Sequence, residues 1–132
     1  MSYPIRMSKC ILVVDDELEF IELLRYRLQP CDYKIVTATN STDALNQAWE
    51  HSPDLILTDL LLPDLDGLTL CEILQRQEAT RKIPIIMITA VGSDVTRYSA
   101  QIAGAVEFFT KPLDFEHLKK TIHSLLEVTA RM

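Results

Sequence analysis

Cys10-Ile11-Leu12-Val13-Val14-Asp15-Asp16 and Asp54-Leu55-Ile56-Leu57-Thr58-Asp59 are the two stretches on which the fold turns. Each is a short apolar run that ends in acid. Unbroken apolar runs of this length fit strands buried on both faces, as in a parallel sheet covered by helices. In such an open sheet, ligands bind outside the carboxyl ends of the strands, at the point where the strand order reverses. Three carboxylates delivered to strand ends therefore imply a small acidic pocket and not scattered surface charge.

Outward from these two runs, β-branched segments alternate with segments of helical periodicity, the pattern of repeated βαβ units. Strands are expected at 9–14, 33–38, 54–58, 83–89 and 105–110. The first helix is expected over 17–29, with Leu18, Ile21, Leu24, Tyr26 and Leu28 as its apolar stripe and Pro30 as its stop. The second spans 41–50, capped by Asn40 or Ser41, and the third 68–77, after Gly67 relieves the backbone in the turn. The fourth, 93–103, carries a weaker stripe of Val95, Tyr98, Ile102 and Ala103 and is expected to be the least firmly packed. The fifth starts at Asp114 or Phe115 and runs to 128, with Phe115, Leu118, Ile122, Leu125 and Leu126 inward. Right-handed crossovers then favour an α/β fold: a doubly wound five-stranded parallel sheet of order 2-1-3-4-5, with its switch point between the first and third strands. One domain, 9–129, is expected between short tails at 1–8 and 130–132.

Composition narrows the function classes. The chain has 132 residues, 48% of them apolar, enough for one core of ordinary size. Its net charge is −6 and its 13 basic residues form no run, which argues against direct nucleic-acid binding. No apolar run approaches the roughly 20 residues that span a bilayer, so a cytoplasmic protein without membrane attachment is expected. Cys10, Cys31 and Cys71 lack metal-ligand spacing and read as buried thiols of a reducing compartment. His51, His117 and His123 do not cluster, and Trp49 and Tyr26 read as packing groups. Asp64 and Asp66 belong to a turn, where aspartate satisfies backbone donors.

Taken together, Val13-Val14-Asp15-Asp16-Glu17, Leu57-Thr58-Asp59-Leu60-Leu61-Leu62-Pro63, Asp66-Gly67, Ile88-Thr89-Ala90, Gly104-Ala105 and Thr110-Lys111-Pro112 resemble the receiver domain of bacterial two-component response regulators. The likeness covers the whole chain. It implies a flavodoxin-like (βα)5 three-layer sandwich that accepts a phosphoryl group on Asp59 from a phosphohistidine of a sensor histidine kinase or histidine phosphotransfer protein. By the family's pattern Asp16 and Asp59 bind Mg²⁺ directly, Asp15 acts through a coordinated water, and the backbone carbonyl of Leu61 completes the protein's share. Thr89 and Lys111 contact the phosphoryl oxygens, and Thr89 and Phe108 form the switch that alters the face of the fourth helix, fifth strand and fifth helix. The Lys111–Pro112 bond is cis in the family's usual pattern, although trans is the default from sequence alone.

The residues agree with a cation at this site. Two carboxylates about 4 Å apart repel by roughly 4 kcal/mol at an effective dielectric near 20, so three require protons, water or cations among them. Phe108 lacks the hydroxyl of the family's commoner tyrosine, so its switching works through packing and exposure. On this reading the chain is a signalling module that catalyses only its own phosphorylation and dephosphorylation, as a monomer or a weak phosphorylation-dependent dimer. Two other readings stand beside it: a Mg²⁺-dependent phosphohydrolase with an aspartyl nucleophile, and the excised receiver of a longer DNA-binding regulator. The hydrolase is disfavoured because Leu61 stands where a second acid belongs. Leu61 and Val91 offer no group to orient an attacking water, which points to slow self-dephosphorylation.

Overall fold

Among the described residues, five strands and five α-helices alternate: β1 (Cys10–Val14), α1 (Leu18–Leu28), β2 (Lys34–Ala38), α2 (Ser41–His51), β3 (Leu55–Thr58), α3 (Gly67–Arg76), β4 (Ile85–Thr89), α4 (Asp94–Ala103), β5 (Glu107–Thr110) and α5 (Phe115–Arg131). This computed structural model describes residues 8–131, and for residues 128–131 the backbone only. The expected N-terminal tail therefore lies outside the described residues except for Ser8. At the other end, α5 continues to Arg131, into the stretch expected as a tail.

All strand pairs are parallel, in the order β2-β1-β3-β4-β5. Side chains alternate across each strand and so feed two cores. Leu12, Val14, Ile56, Ile85 and Met87 face α2, α3 and α4, where Ala44, Ala48, Leu70, Leu74, Ala100 and Ala103 meet them. Ile11, Val13, Leu55, Leu57, Ile86 and Ile88 face α1 and α5, against Ile21, Leu24, Leu28, Leu118, Ile122 and Leu126. Burial on both faces is why these strands read as continuous apolar runs.

The helix ends follow local chemistry. Asn40 and Ser93 accept the Asp43 and Thr96 N–H groups as N-caps of α2 and α4. Pro30 does not end the chain's helical course abruptly: α1 tightens into a 3₁₀ turn at Gln29–Cys31, with Asp32 in the left-handed region after it. β4 begins at Ile85 and β5 at Glu107, each two residues later than expected.

Two apolar stripes are only partly inward. On α1, Leu18 and Tyr26 are exposed and only Ile21, Leu24 and Leu28 are buried. On α4, Val95, Tyr98 and Ile102 are all more than 60% exposed, while Ala100 and Ala103 enter the core. At about 100° per residue, Ala100 lies some 200° around the helix from Tyr98, so one face excludes the other. The small residues take the sheet side and bring α4 close to it. Cys31 is exposed, unlike Cys10 and Cys71, and Trp49 is half-exposed with its indole N–H donated to Gln77 Oε1 at 2.7 Å.

Gly67, at the first turn of α3, is needed for space and not for an unusual φ. Its N–H donates to the Leu60 carbonyl at 2.7 Å, and a Cβ there would overlap the Asp59 carbonyl oxygen and stand 2.9 Å from Leu60 Cα. Gly104 has the conformational requirement instead, closing α4 with φ +116°. Gly67→Ala is expected to lower stability by about 1–3 kcal/mol through overpacking against the backbone that carries Asp59. Urea unfolding of the variant checks this; an unchanged midpoint would show that the turn yields freely.

Candidate functional site at the carboxyl edge of the sheet

Register builds the site. Val14 of β1 pairs with Thr58 of β3, so the next residues, Asp15 and Asp59, leave adjacent strands side by side. The Asp59 N–H donates to the Val14 carbonyl at 3.0 Å, which holds the two strand ends together past the last paired residues. Asp15 is 1% exposed and Asp59 5%. From the other side, Thr89 and Thr110 end β4 and β5 as a pair, and Lys111 follows.

Lys111 crosses this edge. Its Nζ donates to Asp15 Oδ2 at 2.9 Å, to Asp59 Oδ2 at 3.0 Å and to Glu17 Oε1 at 3.0 Å, and it lies 4.2 Å from the centre of the Phe20 ring. The Lys111–Pro112 peptide is cis, as the family's pattern implied. Burial alone pulls the ammonium's pKa down, but hydrogen bonds to Asp15, Asp59 and Glu17 outweigh it and hold Lys111 above the ordinary lysine range. Asp15 moves the opposite way from a typical paired carboxylate. Burial raises its pKa, the Glu17 N–H and Lys111 oppose that, and the charge of Asp59 adds to it.

Carboxylate oxygens of Asp15, Glu17 and Asp59 lie within 4.8 Å of one another, a donor set suited to a hard cation. Glu17 is the member that sequence reading passed over as a ligand. Asp16 is exposed and stands outside the group, because Asp15 takes the buried position at the strand end and the chain then turns outward. Asp15 also accepts the Glu17 N–H at 2.9 Å, and this turn aims Glu17 back toward Lys111. The N-cap position of α1 belongs to Glu17, without a side-chain bond to the helix, so neither Asp15 nor Asp16 serves as its cap.

Thr89 is fully buried, and its hydroxyl accepts the Val91 N–H at 3.3 Å. Phe108 is half-buried on the α4 side of β5, and Phe109 is buried on the α5 side. Leu61 is 57% exposed, and its N–H donates to Asp59 Oδ1 at 3.1 Å. Asp64 and Asp66 belong to the turn. Asp64 accepts from the Ser41 and Thr42 N–H groups, and Asp66 caps α3. Although desolvation opposes it, those bonds hold the Asp64 carboxyl well below the usual carboxylate range. Burial pushes the Cys71 thiol up to about 12, so that sulfur is inert.

Comparison with known proteins identifies the family. Residues 11–123 match the family model described as the response regulator receiver domain. The chain belongs to the response regulator receiver family. It is 36% identical over 120 residues to the alkaline phosphatase synthesis transcriptional regulatory protein PhoP of Bacillus subtilis, covering 91% of this chain and 49% of that protein. It is 39% identical over 119 residues to the response regulator PleD of Caulobacter vibrioides, covering 90% of this chain and 26% of that protein. The chain thus spans half or less of the length of these curated relatives. Among solved structures, the signal receiver domain of a signal transduction histidine kinase from Syntrophus aciditrophicus superposes with a TM-score of 0.87 at 30% identity, covering 95% of each chain. Receiver membership also separates this edge from the hydrolase reading, since the family is one of signalling proteins. Among the described residues, no helix is long and apolar enough to cross a membrane.

Lys111 neutralises buried negative charge, so Lys111→Met is expected to cost about 2–3 kcal/mol, near the low end for breaking a buried pair because Lys111 is partly exposed. Adding Asp15→Asn to that variant is expected to recover part of the loss, as measured by urea unfolding. The folded pKa of Lys111 is raised, so its stabilisation is complete below the ordinary lysine value of about 10.4 and fades as pH climbs through the higher folded value. The stability gap between the wild type and Lys111→Met should therefore hold steady from pH 7 to about 10 and narrow above it.

Proposed function

We propose that this receiver accepts a phosphoryl group on Asp59 from a phosphohistidine of a sensor histidine kinase or histidine phosphotransfer protein, and that phosphorylation alters partner binding through α4, β5 and α5. The observation that carries this reading is the buried Asp59 carboxylate beside Asp15, with the Lys111 ammonium 3.0 Å away at the carboxyl edge of a parallel sheet. A carboxylate oxygen of Asp59 attacks phosphorus, the N–P bond of the phosphohistidine breaks, and the histidine ring leaves with its electron pair. Lys111 then exchanges its bond to Asp59 for one to a phosphoryl oxygen. Thr89, whose hydroxyl is held by the Val91 N–H, releases that bond to meet another.

The cluster of Asp15, Glu17 and Asp59 suits a hard cation such as Mg²⁺; by the family's pattern Asp59, Asp16 (outside that cluster) and the backbone carbonyl of Leu61 would hold it, with Asp15 acting through a coordinated water. Glu17 is an additional nearby carboxylate. When bound, the ion supplies charge neutralisation for the phosphoryl oxygens. On the output side, the exposed Val95, Tyr98 and Ile102 of α4, with Val106 beyond it, supply an apolar surface for a protein partner. The single domain 9–129 is the unit that carries both halves of this activity, as a monomer or a weak phosphorylation-dependent dimer.

Incubation with Mg²⁺ and acetyl phosphate, followed by intact mass, tests the chemistry. One added phosphoryl group is expected on the wild type, labile to hydroxylamine and absent from Asp59→Asn; an adduct that persists in Asp59→Asn would move the acceptor elsewhere. Once formed, the acyl phosphate is expected to outlast the scale of seconds, because Leu61 and Val91 cannot orient water. A decay time of a few seconds in the isolated chain contradicts that part of the reading.

A further inference from the structure

Phe108 is held from outside. The guanidinium carbon of Arg97 lies 4.7 Å from the centre of the Phe108 ring, and Arg97 Nη1 reaches the Phe108 carbonyl oxygen at 3.5 Å. One side chain of α4 thus grips both the ring and the backbone of a β5 residue. The two residues line a groove of about 180 Å³ between α4 and β5, with Ala100, Gln101, Val106 and Glu107 around them. On its other side the ring packs against the core cluster to which Met87, Ala100 and Ala105 belong. A phenylalanine has no hydroxyl with which to be fixed by a hydrogen bond, so the cation over its face is its polar restraint in this groove.

This stack coexists with the Lys111–Asp59 ion pair and with the Val91 N–H bond to the Thr89 hydroxyl. Both are contacts that a phosphorylated Asp59 must displace. Arg97 covers the ring from the groove side, away from the core cluster against which the ring packs, so on the switch reading a ring that moves inward moves away from the guanidinium. We infer that Arg97 is a positioning residue that holds the Phe108 ring in the resting arrangement and thereby sets the bias of the switch against phosphorylation. The inference rests on the phosphoacceptor reading above and adds a residue of α4 that does not touch the phosphorylation site. Any ligand favouring the switched arrangement must then overcome the stack, and removing the stack raises apparent affinity by the same factor.

The test uses the full 132-residue chain with Mg²⁺ and beryllofluoride, a phosphoryl mimic, in calorimetric titrations of wild type, Arg97→Ala, Arg97→Lys, Phe108→Leu and the Arg97→Ala/Phe108→Leu double variant. Arg97→Ala is expected to tighten beryllofluoride binding by about two- to fivefold, the size of a partly exposed cation–π contact. Arg97→Lys, which keeps a cation over the ring, should restore most of the wild-type value. In the Phe108→Leu background the same Arg97→Ala change should have no effect, because the face on which Arg97 acts is gone. Affinity equal to or weaker than wild type in Arg97→Ala overturns the inference, as does an undiminished gain in the Phe108→Leu background. If the wild type itself binds no beryllofluoride, the phosphoacceptor reading and the inference fall together; if it binds and Arg97→Ala changes nothing, the inference alone falls. Upfield ring-current shifts of the Arg97 δ-protons, expected in the wild type and lost in Phe108→Leu, report the stack in the free protein; their absence also overturns it.

Discussion

Like charges are forced together here by strand register, and one ammonium makes that tolerable. Because Val14 pairs with Thr58, Asp15 and Asp59 have no freedom to part without breaking the central pairing of the sheet. Water is largely excluded from both, so the repulsion between them is poorly screened. Lys111 arrives from the end of β5, bonded to both. The sheet's far strand is thus tied to its centre by electrostatics across the carboxyl edge, as well as by the backbone ladder. Such a site is a compromise: buried carboxylates that a purely structural protein would replace with apolar residues are retained where charge chemistry needs them.

The features that positioned this edge were legible because they are dominated by burial. Strands buried on both faces have to be apolar throughout, and the acids that follow them have to mark the ends. Asp15 and Asp59 follow such strands directly, Thr89 and Lys111 join them through the resemblance to the receiver family, and in the structure Asp15, Asp59 and Lys111 are in contact while Thr89 ends the neighbouring strand. Less legible was anything that depended on which way a turn rotates. Asp15 and Asp16 are chemically identical neighbours, and only the bend after Asp15, fixed by its bond to the Glu17 N–H, decides that Glu17 and not Asp16 points toward Lys111. Gly67 reads as a turn glycine, but its constraint is the backbone of Asp59 and Leu60 packed against it, a contact distant from any local propensity.

Helix faces show a second limit of pattern reading. On α1 and α4 the apolar residues outnumber what one core-facing stripe can use, and size was a poor guide to which would be inward. On α4 the sheet side is taken by Ala100 and Ala103 because small side chains allow a close approach, and the bulky Val95, Tyr98 and Ile102 are left outside. A helix anchored in this way places little apolar area in the core relative to α5, which buries Leu118, Ile122 and Leu126. Its attachment then depends more heavily on contacts at its margins, including the Arg97 grip on Phe108.

β5 joins the two ends of this arrangement. Its alternation sends Phe108 to the α4 side and Phe109 to the α5 side, where the Phe109 ring lies 5.0 Å from that of His117, and the chain then delivers Lys111 to the carboxylates. Two residues, Phe109 and Thr110, separate Lys111, whose ammonium binds Asp59, from Phe108, whose ring α4 covers. β5 is paired along its length with β4, which fixes its backbone, so its variable contacts are those of side chains at its ends and faces. The lysine is held by buried carboxylates at the carboxyl edge and the phenylalanine lies beneath a guanidinium of α4, so one short strand carries contacts to both the acidic cluster and the α4 surface.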